Sequence, residues 1–363
     1  MKIAIAGGGT GGHLFPALAV GEVLLERGHE VLIFISEKEI DALAIKGRTE
    51  FRFEKLPSVG MPRLLSPAIF AFFKRFNASL SPCRRIFNEF KPDAVLGMGG
   101  FTSTPPILAG KLRGVPTFVH ESNAIPGKAN RLNGWLVDEV LLGFKECQRF
   151  FPKARCEVTG TPIRRSLAEP YPREQALAAF GLDPERKTLL VMGGSQGAHG
   201  VNEAIRAAAE SGHLDASRWQ VLHLSGAADR ESLAATYRKR AIVAHVAAFC
   251  HEMEKAYSAA DLVLARSGAA SISELSHFGL PALFIPLPTA AENHQQFNAE
   301  IIARAGAAEV LKESETTGET LAAKIASLGS DPERLRQMAA ASRGLSPEDA
   351  AARVADTIEH FKR

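Results

Sequence analysis

The chain is poor in cysteine. Its 363 residues hold four, Cys83, Cys147, Cys156 and Cys250, with no CxxC spacing and no paired histidines beside them. That pattern fits reduced thiols better than a disulfide framework or a zinc site, so no metal is expected. A long apolar run is also missing: nothing approaches the roughly 20 residues that a membrane-spanning helix needs. The first strand begins at Lys2 and meets glycine at position 7, which leaves no room for a signal peptide and predicts a cytoplasmic chain. Excess charge is slight, 43 basic against 40 acidic side chains. A nucleic-acid face needs concentrated cations, so no nucleic-acid partner is expected. The glycine turn at 193–200 lacks a following Lys-Ser/Thr and is not a Walker loop. No D-x-D pair occurs, which argues against a nucleotide held through a carboxylate-bound divalent metal.

What is present is a soluble globular balance, 46% hydrophobic and 23% charged, in a chain longer than one ordinary core. Short β-branched runs alternate with helical stretches: KIAIA, a helix over about 16–27, EVLIFI, then DAVLGM, a helix, and PTFVHE. After the Pro-rich GTPIRRSLAEPYPRE (160–174) the pattern restarts with KTLLVMGG, WQVLHLSG and DLVLARSG. The spacing predicts an α/β chain of two Rossmann-like, doubly wound parallel-sheet domains, 1–161 and 162–345. Residues 346–363 read as an amphipathic helix that packs back on the first domain through Ala351, Val354, Ile358 and Phe361. The halves echo each other, since 94–123 and 262–288 share strand, small-residue turn, helix, G-[VL]-P and strand. Ligands of such sheets sit beyond the carboxyl ends of the strands, so the two domains are expected to face each other across a cleft lined by both sets of turns.

Three glycine turns carry the candidate chemistry. GGGTGGH (7–13) contains G-x-G-x-x-G, where backbone approaches a charged ligand without a Cβ in the way. A nicotinamide site would add an acid closing the second strand, and Glu37 is placed for that. In GGSQGAHG, Ser195 and Gln196 can hydrogen-bond phosphate or sugar. RSGAASISE starts a helix whose dipole and first N–H groups suit a diphosphate, while Glu274 can accept hydrogen bonds from both hydroxyls of a ribose. Arg164, in GTPIRR, is a candidate cation for the same phosphates, and the amides of HESN and ENHQQFN suit sugar hydroxyls. Each turn also has a plain reading as a tight βα connection holding nothing.

In order and spacing, GGGTGGHLFPALA, VLGMGGF, HESNAIPGKANR, GTPIR, GGSQGAHGVN, RSGAASISE, GLPALFIPLP and HQQFNA run nearly end to end and resemble the MurG family of bacterial UDP-N-acetylglucosamine (UDP-GlcNAc) transferases. The resemblance implies the GT-B fold and inverting transfer of GlcNAc to the muramoyl 4-hydroxyl of lipid I, giving lipid II, with no cofactor required. By the same resemblance the backbone at Cys250 meets the uracil, Glu274 the ribose, and Ser195 with Arg164 the diphosphate. Ala269, Ala270, Ser271, Ile272, Ser273 and Glu274 form the helix start under the donor. Gln295 and Asn123 contact the GlcNAc hydroxyls, and Thr10, Gly11 and Gly12 face donor and acceptor. It further implies a peripheral enzyme on the cytoplasmic face of the inner membrane, with cell-wall synthesis proteins as candidate partners. The chain departs from the family at Ser122, where glutamine is usual, and at Thr161, where asparagine is usual.

An inverting transfer wants a base for the attacking hydroxyl. His13, at a helix N-terminus where the dipole disfavours imidazolium, is the candidate, with His120 and Glu121 as rivals. Between Arg63 and Lys91 lie Phe70, Phe72, Phe73, Phe76, Phe87 and Phe90 together with Lys74, Arg75, Arg84 and Arg85. That mixture suits docking on an anionic inner-membrane surface, or equally a core helix with a solvated basic face. Two further functions share the paired sheets, a UDP-GlcNAc 2-epimerase and a non-catalytic nucleotide-sugar sensor, and a GlcNAc transferase acting on another glycolipid is a third.

Overall fold

The computed structural model describes residues 1–38, 41–42, 45–57, 68–167, 169–194, 197–347 and 349–362, with backbone only for 68–71 and 73. Two compact units emerge from it, Met1–Arg165 with Pro347–Arg363, and Ser166–Ser346.

The first unit runs β1 (Lys2–Ala6), α1 (Gly11–Glu26), β2 (Glu30–Ser36), β3 (Arg52–Leu56), α2 (Ala68–Phe90), β4 (Ala94–Gly97), α3 (Thr104–Lys111), β5 (Thr117–Glu121), α4 (Lys128–Asn133), β6 (Glu139–Leu142) and β7 (Arg155–Val158). The second runs α5 (Arg173–Ala179), β8 (Lys187–Met192), α6 (His199–Glu210), β9 (Trp219–Leu224), α7 (Arg230–Lys239), β10 (Ala244–Ala247), α8 (Met253–Ala259), β11 (Leu262–Ala265), α9 (Ala269–Phe278), β12 (Ala282–Phe284), α10 (His294–Arg304), β13 (Ala308–Val310), α11 (Gly318–Ser330) and α12 (Pro332–Gly344). The chain then returns to the first unit as α13 (Ala350–Glu359).

Among the described residues each unit has one parallel sheet, ordered β3-β2-β1-β4-β5-β6-β7 and β10-β9-β8-β11-β12-β13. The central strands read as unbroken apolar runs because helices cover both faces of a doubly wound sheet. Ile3, Ala4 and Ile5 of β1 and Leu189, Leu190 and Val191 of β8 are fully buried. Strand order reverses beside β1 in one sheet and beside β8 in the other, and crevices open at such switch points. The echoed segments are the strand–helix–strand units immediately past those points, β4-α3-β5 and β11-α9-β12.

One helix differs from its sequence reading and a second resolves into two faces. Helix α1 begins at Gly11 rather than near Pro16, because the N–H groups of His13 and Leu14 both bond to the Thr10 carbonyl and wind the first turn ahead of the proline. His13 is therefore part of the helix. In α2 the phenylalanines divide: Phe87 and Phe90 are buried against Phe34, Leu56 and Val95, whereas Lys74, Arg75, Arg84 and Arg85 are exposed. Phe72 and Phe76 are half-buried, the side chains of Phe70 and Phe73 lie outside the described set, and so does Arg63. Helix α13 inserts Ala351, Val354, Ala355 and Ile358 into the core of α1 and β1, with Phe361 edge-on to Phe118 at 5.1 Å.

Inside the second sheet, the fully buried His223 ring lies between the Tyr237 hydroxyl at Nδ1 (2.9 Å) and the Asn202 carbonyl oxygen at Nε2 (3.0 Å). Both ring nitrogens are satisfied in the neutral form, and burial pushes the pKa down from 6.5 to about 3. The unfolded chain takes up a proton below pH 6.5 that the folded chain refuses, so this stability is present above that value and lost as pH falls towards 3. Denaturant unfolding at pH 7 and pH 5 is expected to show a fall that is smaller by about 2 kcal/mol in His223→Gln. Equal falls would remove His223 as the titrating group.

Candidate functional site

In the first unit the candidates gather at the carboxyl ends of β1, β4 and β5. The first two glycines of the β1–α1 turn have no room for a side chain: a Cβ on Gly7 would lie 2.3 Å from the Ala17 Cβ, and one on Gly8 2.2 Å from the Ser36 nitrogen. The exposed Thr10 caps α1, and its Oγ1 lies 3.2 Å from His13 Nδ1. The His13 ring rests over the Gly99–Gly100 turn, where φ values of +107° and +71° call for glycine. A methyl on Gly99 would come within 2.9 Å of His13 Nε2. Desolvation is the largest influence on the ring and carries its pKa down to about 4; Asp41 opposes the shift and Lys38 adds to it. Gly11 is half-exposed and Gly12 exposed, so backbone is open at the helix start.

The rivals His120 and Glu121 end β5 and are buried. His120 Nε2 donates to the Gly160 carbonyl at 2.8 Å, and Nδ1 faces the Ser122 hydroxyl at 3.3 Å, so the residue that departs from the family pattern here supports the ring. Burial lowers the His120 pKa to about 4. The Glu121 carboxyl accepts from the Asn123 and Gly127 N–H groups and from the Asn123 and Asn130 amides, at 2.9–3.1 Å. Burial nevertheless pushes its pKa up. Four donors are spent holding it, the arrangement of a brace, and Asn123 is turned towards it. Arg164 lies with its guanidinium 4.8 Å from the Phe15 ring, on the first unit. The other departing residue, Thr161, is buried.

The second unit repeats the layout at β8, β11 and β12. Ser195 and Gln196 fall outside the described residues, but their turn is framed by Gly194 and Gly197 at φ +84° and +79°. Helix α9 has Gly268 at its N-cap, a residue with no side chain to cap the first amides of the helix. Ala269 and Ile272 are buried and hold the helix on the sheet, while Ala270, Ser271, Ser273 and Glu274 stay half-exposed. Glu274 accepts a 2.5 Å hydrogen bond from the Tyr257 hydroxyl. Gln295 is oriented by the Leu287 N–H donating to its Oε1 at 3.0 Å, and its carbonyl takes the Ser267 hydroxyl at 2.8 Å. Cys250 is half-buried beside the exposed Phe249.

Each unit thus brings its own predicted residues to one end of its sheet. Three supporting residues escaped the sequence reading. Tyr257 is apolar in pattern, and nothing local links it to Glu274. Asn130 lay inside HESNAIPGKANR, whose spacing of nine residues from Glu121 was the available signal. Asp41, past the end of β2, turns its buried carboxylate back on the first glycine turn, whereas Glu37, the acid that closes the second strand, is exposed.

Comparison with known proteins agrees with this layout. The model of the glycosyltransferase family 28 N-terminal domain matches residues 3–142, and that of its C-terminal domain matches 188–359. A Geobacter metallireducens protein named UDP-N-acetylglucosamine–N-acetylmuramyl-(pentapeptide) pyrophosphoryl-undecaprenol N-acetylglucosamine transferase is 38% identical over 100% of this chain and 99% of its own. A protein of the same name from Myxococcus xanthus is 38% identical over 98% of this chain and 92% of its own. Among solved structures, Acinetobacter baumannii MurG superposes with a TM-score of 0.79 at 28% identity, covering 99% of both chains. A Neisseria meningitidis UDP-GlcNAc 2-epimerase shares the fold, with a TM-score of 0.72 at 15% identity over 99% of this chain and 100% of that one. With both family models matched and full-length relatives at 38% identity, the chain belongs to glycosyltransferase family 28 and, within it, to the MurG transferases.

Proposed function

We propose that this glycosyltransferase moves GlcNAc, with inversion, from UDP-GlcNAc to the muramoyl 4-hydroxyl of lipid I, forming lipid II for peptidoglycan. The observation that carries the reading is the end-to-end match, at 38% identity, to relatives whose names state that transfer. The epimerase likeness, at 15% identity, is one of fold alone.

In this reading the acceptor oxygen attacks the anomeric carbon opposite the diphosphate. The bond from that carbon to the phosphate oxygen breaks, UDP leaves with the electron pair, and the hydroxyl proton passes to His13 Nε2. The tautomer this role requires carries its proton on Nδ1, where it can donate to Thr10 Oγ1 at 3.2 Å, and leaves the Nε2 lone pair to receive the proton. A pKa near 4 leaves the ring neutral at pH 7. The weak base suffices because the hydroxyl turns acidic only as the new bond forms. Glu121, held by four donors, shapes the neighbouring loop, and Asn123 presents that loop to the sugar.

The donor roles follow the same logic. Glu274, oriented by Tyr257, takes the ribose hydroxyls, and the backbone at Cys250 reads the uracil. The uncapped start of α9 and Ser195 with Gln196 receive the diphosphate, Arg164 adds a cation to the leaving charge, and Gln295 contacts the GlcNAc. Helix dipole and arginine together supply what a divalent cation would, so no metal or other cofactor is needed. Among the described residues no helix is long and apolar enough to cross a membrane. The exposed Lys74, Arg75, Arg84 and Arg85 of α2 suit attachment to an anionic inner-leaflet surface.

His13→Gln and His13→Ala are expected to lower the turnover of a lipid I analogue about a hundredfold or more while donor affinity holds; unchanged turnover would take His13 out of the chemistry. Glu274→Ala is expected to weaken UDP binding by calorimetry about tenfold or more, and an unaltered affinity would displace it from the ribose. Transfer of labelled GlcNAc should be the same with and without EDTA. Charge reversal at Lys74, Arg75, Arg84 and Arg85 should release the protein from anionic vesicles; retained binding would leave α2 as a core helix with a solvated face.

A further inference from the structure

We propose that Asp41 is a positioning residue for the transfer: its buried carboxylate pins the Gly8–Gly9 turn to the end of β2 and so sets the place of Thr10 and His13. The inference rests on the reading of His13 as the base.

A run of glycines has no side chains with which to hold its own shape, and each glycine adds backbone freedom that must be restrained. Here the restraint comes from outside the run. Asp41 Oδ2 accepts from the Gly9 N–H at 2.7 Å, the Ser36 N–H at 2.9 Å and the Ser36 hydroxyl at 2.5 Å. The turn is closed on its other sides by Thr102 Oγ1 donating to the Gly8 carbonyl at 3.0 Å and by Lys38 Nζ donating to the Gly9 carbonyl at 2.9 Å. Of these three, only Asp41 ties the turn to the strand beside it and is also fully buried. Among the described residues its second oxygen, Oδ1, is buried without a hydrogen-bond partner. A carboxylate is costly to bury half-satisfied, and a purely packing role would be filled better by an apolar side chain. Its inward aim also separates it from the acid that reads a ribose in dinucleotide folds, which must reach the ligand.

The carboxylate has a second effect through charge. The charged groups that act on the His13 ring are Asp41 and Lys38, and of these Asp41 alone favours the protonated ring. Asp41 therefore both holds the base in place and raises its affinity for the incoming proton.

The test uses the full-length protein with four readouts: kcat, KM for UDP-GlcNAc, the acid limb of the kcat profile, and amide hydrogen exchange at Gly9 and Ser36. Asp41→Ala is expected to lower kcat about a hundredfold with donor KM within about twofold. Exchange should speed up at Gly9 and Ser36 while β4 and β5 remain protected. Asp41→Asn keeps an acceptor oxygen without the charge, so it should retain the protection, lose less kcat and move the acid limb to lower pH. Native kcat in Asp41→Ala, or kcat lost together with protection throughout β4 and β5, would overturn the proposal. His13→Gln, assayed alongside, separates the two levels. An inactive His13→Gln beside fully active Asp41 variants sinks this proposal alone, whereas a fully active His13→Gln sinks the base assignment and this proposal with it.

Discussion

Everything in the first unit depends on how closely α1 approaches strands β1 and β2 of the sheet. A Cβ on Gly7 would collide with Ala17, so the helix can come that near only if this position is bare, and a Cβ on Gly8 would collide with the Ser36 backbone, so the turn can lie against the end of β2 only if that position is bare too. The approach buries Leu14, Ala17, Leu18 and Val20 against Ile3, Ile5, Val31 and Ile33. It also dictates where the helix begins, and hence that His13 lies in its first turn, above a second bare turn at Gly99 and Gly100. The chemistry is a by-product of packing: the contacts that stabilise the sheet also place the imidazole.

The second unit reaches a similar end with different means. Gly193 approaches the Ala198 backbone, where a Cβ would stand 2.2 Å from its nitrogen, and Gly197 presses on the Ser225 carbonyl. Here the neighbouring strand is held by a buried polar chain, His223 to Asn202 and Asn202 to the Ser225 carbonyl and Asp229. Asn202 lies on α6, which begins at the close of the glycine turn, so the network ties the turn, α6 and β9 together. Fully paired networks of this kind specify one arrangement where apolar packing would tolerate several. The two glycine turns therefore share a position and a constraint, but each is braced by its own chemistry.

Much of this architecture was legible. Alternating strand and helix periods, the two glycine turns and the echo of 94–123 in 262–288 define two doubly wound sheets, because each signal is local or repeated. The apolar stripe of Ala351, Val354 and Ile358 likewise identified a helix whose face needed cover. Other features depend on distance in space. Nothing in a linear pattern marks Asp41 as the partner of Gly9, 32 residues away, or Tyr257 as the partner of Glu274. Pro16 misled the reading of α1, since proline is favoured in the first turn and here sits deeper inside the helix. The phenylalanine-rich stretch joined two roles in one composition, and only the helix geometry separates the buried Phe87 and Phe90 from the exposed cations.

The return of α13 to the first unit has a consequence for biogenesis. Arg27 pairs with Asp356 and Glu359, and the apolar face of α13 completes the cover on α1. During translation the first sheet emerges early but waits for its last helix until the whole of the second unit has been synthesised. The later-made unit needs no other part of the chain for its own core and is free to consolidate first. The amino-terminal half is thus exposed longest on the ribosome, with an open apolar groove along α1 as the surface that chaperones would meet.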